Sequence, residues 1–367
     1  MPLRPGSLGV AAVVLAAGLS FAPVLCAQAT PKLSLLVLSK HDHTLSIVDP
    51  ATLTVLGRAA VGEDPHEVVA SSDGTTAYVS IYGGGAYHSI SVVDLIAQKP
   101  LPAIDLGPLN GPHGLAFAGG KLWFTAEGAK VIGSYDPAKS KVDWVMGTGQ
   151  NRTHMIYVTA DQKQIYTTNV SSATVSILEK VALPPMGPPP GMQQGPPGQS
   201  GGGMPPGGPP TGAGGPRMDW NQTVIPVGRG DEGFDVSPDG RELWTANAQD
   251  GTVSVIDISG KRLLLTINAK VFGANRLKFT PDGSKVLISS LRDENLVILD
   301  ASTRTEAKRV KIGHGAAGIL MQPDGARAFI SCGPDNYVAV LDLKTLEVTG
   351  HIDAGGEPDG LAWAVRQ

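Results

Sequence analysis

The feature that most constrains this chain is a repeated turn. Ser237-Pro238-Asp239-Gly240, Thr280-Pro281-Asp282-Gly283 and Gln322-Pro323-Asp324-Gly325 share one pattern, with about 42 residues between successive aspartates. Proline presets φ and glycine accepts φ > 0, so the chain reverses at each copy. Around the first turn, Phe234–Val236, Leu243–Ala246, Thr252–Ile256 and Leu263–Ile267 are short apolar or alternating runs without a helical period. A four-strand unit recurring at this interval is the signature of a propeller blade.

Further copies begin at Pro65, Pro112 and Thr153. The N-terminal copy has only its second to fourth strands, Leu33–Leu38, Thr44–Val48 and Thr54–Ala60, while Glu357–Trp363 reads as a first strand with nothing after it. The expected fold is therefore an all-β, seven-bladed β-propeller of four-stranded antiparallel blades over residues 30–367. Its C-terminal strand joins the N-terminal blade and closes the ring.

Charge and composition narrow the function. Only 17% of residues are charged, the formal net charge is −4 and no basic run occurs, so no nucleic-acid partner is expected. Arg4, the apolar run Leu8–Leu25 and Ala27-Gln28-Ala29 form an export signal over residues 1–29. Cleavage there predicts a periplasmic or secreted monomer with no transmembrane helix. It also removes Cys26 and leaves Cys332 alone, so stability has to come from packing between blades. Residues 181–219, rich in Pro, Gly, Gln and Met, cannot bury enough apolar surface to offset their ordering entropy. They predict a disordered insertion between the third and fourth strands of blade 4, of a composition suited to envelope attachment or partner contact.

With Val253-Ser254-Val255-Ile256-Asp257, and strand ends such as Ala77-Tyr78-Val79-Ser80 and Tyr166-Thr167-Thr168-Asn169, the chain resembles the YVTN-repeat β-propeller family. That resemblance covers residues 33–367 apart from the insertion, and it implies the fold without a particular activity. Gly111-Pro112-His113-Gly114-Leu115 with Leu122-Trp123-Phe124-Thr125 is similar to the blades of virginiamycin B lyase. In that family histidines and a glutamate near the channel act with a divalent metal in an elimination. This narrower resemblance implies His113 and Glu127 as catalytic candidates, with Glu127 one residue later than the family's glutamate. Propellers that hold a d-type haem, and propeller lactonases, are alike by architecture.

In a propeller, the first strand of each blade lines the channel and starts on the face that carries the loop between second and third strands. Alignment on the turn aspartates places His66, His113, His154, Glu232, Asn275, Ala317 and Asp359 at that mouth. His66, His113 and His154 are candidate ligands for a divalent transition metal. The same set also suits an acid/base cluster or a polar ring that caps the strands. Arg152 and Arg276 flank it and offer planar forks for a carboxylate or phosphate. His41, His43, His88 and His314 fall on the same face, and His351 is expected elsewhere. Trp123 and Trp244 read as packing between blades, and Cys332 as a small buried residue.

Three functional readings stay open. The first is a binding protein whose His-rich mouth takes a small ligand, a metal or an envelope partner protein, since no nucleophile, base and orienter appear at readable spacing. The second is a metal-assisted lyase or lactonase-type hydrolase using His66, His113 and His154 with Glu127 or Glu232. The third is a haem-associated electron-transfer propeller with a ring histidine as axial ligand; the chain lacks the Cys-x-x-Cys-His of covalent c-type haem.

Overall fold

The computed structural model describes Met1 and residues 29–183 and 217–367. Nearly all of the expected export signal, and residues 184–216 of the expected insertion, lie outside that set. The described chain forms seven four-stranded antiparallel sheets. Blade 1 combines the C-terminal strand Pro358–Val365 with Leu33–Ser39, Thr44–Asp49 and Thr54–Ala60, in that order outward. Blades 2 to 7 each use four consecutive strands, with inner strands Pro65–Ala70, Pro112–Ala118, Thr153–Val158, Asp231–Val236, Ala274–Phe279 and Ala316–Met321. Among the described residues, no helix is long and apolar enough to cross a membrane.

The turn residues behave as their chemistry dictates. The carboxylates of Asp94, Asp257, Asp300 and Asp342 accept backbone N–H bonds just after the third strand and shape the turn into the outer strand. Between blades, alternate residues of the middle strands interlock. Leu36, Leu38, Leu45 and Ile47 of blade 1 pack on Val68, Ala77, Val79 and Val93 of blade 2. Trp244 is fully buried and meets Phe279 of the next blade edge-on, with ring centroids 5.4 Å apart, while Trp123 meets Trp144 at 5.6 Å. Both tryptophans are therefore packing residues. Cys332 is buried, and its thiol is pushed up to about 12, chiefly by desolvation, which leaves it inert.

In blade 4 the third and fourth strands, Thr174–Ala182 and Met218–Pro226, stay paired as far as Val181–Asp219 and Ala182–Met218. The ladder thus reaches two pairs into the stretch expected to lack structure, on the face away from the channel mouth.

The device that builds the mouth is a bulge repeated in every inner strand. Thr153 pairs with Asn169 and Ile156 with Thr167, so three steps on the inner strand oppose two on its neighbour. The same shift lies between Pro65 and Val68, Pro112 and Leu115, Asp231 and Phe234, Ala274 and Leu277, and Ala316 and Ile319. In blade 1 it lies between Pro358 and Leu361. An extra residue in a strand bends it and re-aims a side chain. The seven residues just after the last regular pair are His66, His113, His154, Glu232, Asn275, Ala317 and Asp359.

Hydroxyls on the second strands pin these bulges. Thr125 Oγ1 accepts the Gly114 N–H (2.9 Å) and donates to the His154 carbonyl of the next blade (2.7 Å). Thr168 donates to the Glu232 carbonyl, Ser289 to that of Ala317 and Ser331 to that of Asp359. Each bond ties the ring residue of one blade to the frame of its predecessor.

Candidate functional site at the channel mouth

The bulges gather their side chains around a cup of about 360 Å³. Every polar ring position expected from the sequence lines it, as do Arg152, Arg276, Lys40 and Glu357. Blades 2 to 4 supply three adjacent imidazoles. His113 lies 5.0 Å from His66 and 3.8 Å from His154 between ring centroids, and Tyr82 sits against His66 and His113 at 4.8 and 5.1 Å.

The three imidazoles differ because their partners differ. His154 is buried and both its nitrogens donate to carboxylates, Nδ1 to Glu127 and Nε2 to Glu232 at 2.9 Å. Burial alone would lower its pKa, but these two partners outweigh it and raise the pKa, which favours the imidazolium form. Burial likewise opposes ionisation of Glu232, yet His154 and Arg152 bring its pKa down to about 2. Glu127 is also held below its ordinary value against desolvation. His154 is its main partner, Tyr82 donates its hydroxyl at 2.6 Å, and Arg152 lies 3.5 Å away.

His66 is neutral, its pKa lowered by burial and then by Lys40. Its Nδ1 donates to the Asp64 carbonyl (3.1 Å), and its Nε2 accepts from Lys40 Nζ (3.0 Å). Lys40 also pairs with Asp359 at 2.7 Å. Arg276 is buried against Glu67, and its Nη1 donates to Asn275 Oδ1 at 3.2 Å. Asp231, next to Glu232 in the chain, is fully buried and its carboxyl is pushed up to about 8 by desolvation.

His113 stands apart. It is 3% exposed, and among the described residues neither its buried Nδ1 nor its Nε2 has a hydrogen-bond partner. Burial first, then the charges of His154 and His66, hold its pKa well below the ordinary value.

The set of donors that converges is not the three ring histidines. Among the described residues, His113, Glu127 and His154 offer ligand atoms that all lie within 4.8 Å of one another, while both nitrogens of His66 are engaged elsewhere. Glu127 reaches the histidine of the following blade rather than that of its own. His351, expected away from this face, packs edge-on against Tyr337 at 4.3 Å between ring centroids, beside a second hollow that also takes His314.

Sequence alignment on the first strands missed Lys40, Tyr82 and Glu67. The first two belong to a second readable register, the residue just after each second strand, which runs Lys40, Tyr82, Glu127, Val170, Ala248, Leu291 and Gly333. Blades 1 to 3 are polar at that level and blades 4 to 7 are apolar or bare. Glu67 follows His66 directly, where four other blades carry Gly114, Gly233, Gly318 and Gly360.

This is a seven-bladed β-propeller with a buried, titratable cup at one mouth of its channel. No family model matches the chain, and no curated protein matches it in sequence. Solved structures share its fold. A candidate 6-phosphogluconolactonase from Bacteroides uniformis aligns with a TM-score of 0.68 at 15% identity, over 90% of this chain and 99% of that one. A functionally unknown protein from Desulfotomaculum acetoxidans gives 0.65 at 14% identity, over 89% and 98%. Dihydro-heme d1 dehydrogenase NirN gives 0.58 at 15%, over 89% and 74%. Similarity at this level defines the architecture alone.

Proposed function

We propose that this propeller is a binding protein whose channel-mouth cup takes a small polar ligand. The observation that carries this reading is His113, a buried imidazole whose Nδ1 has no hydrogen-bond partner among the described residues, in a cup whose other charged groups, Glu357 apart, are paired. An orphaned buried polar group is costly, and a ligand that bonds it relieves that cost. The cup is concave, about 360 Å³ in volume and lined by a few convergent polar groups, as small-molecule sites are. Ligand binding to the folded state raises the melting temperature by mass action. The test is a thermal-shift screen of small polar metabolites against the protein and its His113→Phe variant. The expected result is a ligand that stabilises the parent and not the variant. A variant that melts higher than the parent, with no compound stabilising either, would sink the reading.

A second reading is favoured by the convergence of His113, Glu127 and His154. Two imidazoles and a carboxylate are a donor set for a divalent transition metal, and the unpartnered Nδ1 of His113 fits such a role. A bound metal would supply Lewis acidity to a lyase or hydrolase reaction. His154 would first have to release a proton and its bond to Glu127, so affinity would rise steeply with pH. Elemental analysis, and melting curves with added zinc, copper, manganese and iron at pH 6 and 8, decide this; a metal-free protein indifferent to all four rules it out.

A further inference from the structure

Each blade enters the cup through a residue two positions before its ring residue, and all seven have positive φ: Asp64 (56°), Gly111 (70°), Arg152 (56°), Gly230 (76°), Gly273 (73°), Gly315 (58°) and Glu357 (49°). Four blades use glycine, the one residue for which this conformation is free of Cβ strain. Three keep a charged side chain there. Asp64 has a structural use, since it holds His66 through its carbonyl and, at 3.3 Å, its carboxylate. Arg152 and Glu357 are different. Arg152 is 39% exposed and lies 3.5 Å from Glu127 and 3.3 Å from Glu232, with the Tyr82 hydroxyl also against it. The Glu357 side chain is exposed and, among the described residues, makes no hydrogen bond or ion pair, although it lies within electrostatic reach of His41.

These two residues come from blades 4 and 1, on roughly opposite sides of a seven-membered ring, and both line the cup. Between them, blades 6 and 7 add an apolar stretch to the wall, Leu291, an exposed large hydrophobic residue, with Ala317 and Pro334, beside the polar Asn275 and Arg276 of blade 6. A cationic lip, an anionic lip and an apolar stretch between them describe the shape of one kind of molecule.

We propose that the cup binds a zwitterionic ligand of dipeptide size, its carboxylate on the Arg152 guanidinium, its ammonium on Glu357 and its apolar side chain against Leu291, Ala317 and Pro334. Nε and Nη1 of Arg152 face Glu127 and Glu232, which leaves Nη2 to receive a carboxylate oxygen through a charge-assisted bond. The proposal rests on the reading of the cup as a ligand site and specifies the chemistry of what enters it.

The test uses the full chain, with alanyl-leucine as probe, by calorimetric titration and thermal shift. Its C-terminal amide removes the carboxylate and its N-acetyl form removes the ammonium. The parent is expected to bind alanyl-leucine, and each blocked form about tenfold or more weakly. Arg152→Gly and Glu357→Gly install the residue that the other blades use. Glu357→Gly is expected to melt at or above the parent temperature, and Arg152→Gly below it because Glu127 and Glu232 lose a partner, while both lose binding by the same factor. A lower melting temperature in Glu357→Gly would overturn the proposal, because that charged residue would then be structural. Equal binding of the blocked forms, or no binding of alanyl-leucine to the parent, would overturn it as well. Binding lost in His113→Phe but unchanged in both glycine variants would refute the zwitterion and leave the cup standing as a ligand site.

Discussion

Gly114 lies directly under His154. A Cβ on Gly114 would sit 2.5 Å from the His154 carbonyl oxygen and 2.8 Å from the Met155 Cα. The close approach of these two blades brings the His113 and His154 rings to 3.8 Å. Gly114→Ala is expected to cost about 1–3 kcal/mol, because the obstacle is backbone that cannot rotate away. Equilibrium denaturation in urea measures the loss, and a variant as stable as the parent would show that the blade spacing adjusts freely.

The pair Asp231 and Asn247 makes a pH-dependent prediction. In blade 4 the Thr153 hydroxyl donates to Asn169 Oδ1 across the strand pair, and the Asn169 amide donates to Thr174 and Ser176. In blade 5, Asn247 donates to Thr252 and Ser254 in the same way. Its strand partner, however, is Asp231, and among the described residues both Asp231 Oδ1 and Asn247 Oδ1 lack a hydrogen bond. A protonated Asp231 would carry the donor that Thr153 provides in blade 4. Its folded value of about 8 lies above the ordinary 3.8, so the folded chain keeps a proton that the unfolded chain releases between those values. Stability therefore falls as pH rises through that window. Asp231→Asn carries a permanent N–H donor and is expected to be about 1–3 kcal/mol more stable than the parent at pH 8. The advantage should shrink towards pH 4; melting curves across that range that run parallel would contradict the assignment.

Arg276 and Glu67 form an ion pair with side chains only 8% and 13% exposed, reaching across the channel from blade 6 to blade 2. Removing one partner strands the other in a poorly solvated site. Arg276→Met is expected to cost about 3–5 kcal/mol, and the double change with Glu67→Gln to recover most of it. A double-mutant cycle with no coupling would show that each charge is satisfied independently.

The ring of bulge residues was legible because the inner strand repeats without insertion before each turn, so one alignment superimposes all seven. The contacts inside the cup were not. Glu127 serves His154 across the blade boundary, and a within-blade alignment cannot register a partner from the next copy. His66 reads like its two sister histidines, yet Lys40 and Asp64 occupy its nitrogens, and both come from loops outside the aligned strand. The positive-φ position of Arg152 and Glu357 is visible only when the glycines of four other blades are set beside them. His351 was misplaced because its height along an outer strand depends on the register bulge between Val340 and Leu341.

The wall of the cup at blade 1 is made from both ends of the described chain. Asp359 and Glu357 come with the closing strand, while Lys40, which bonds both Asp359 and His66, lies near the start. A chain that has folded blades 2 to 7 still lacks one seventh of the rim, and Lys40 faces His66 without the Asp359 counter-charge. A ligand that needs this part of the rim would therefore bind only after the last strand has seated.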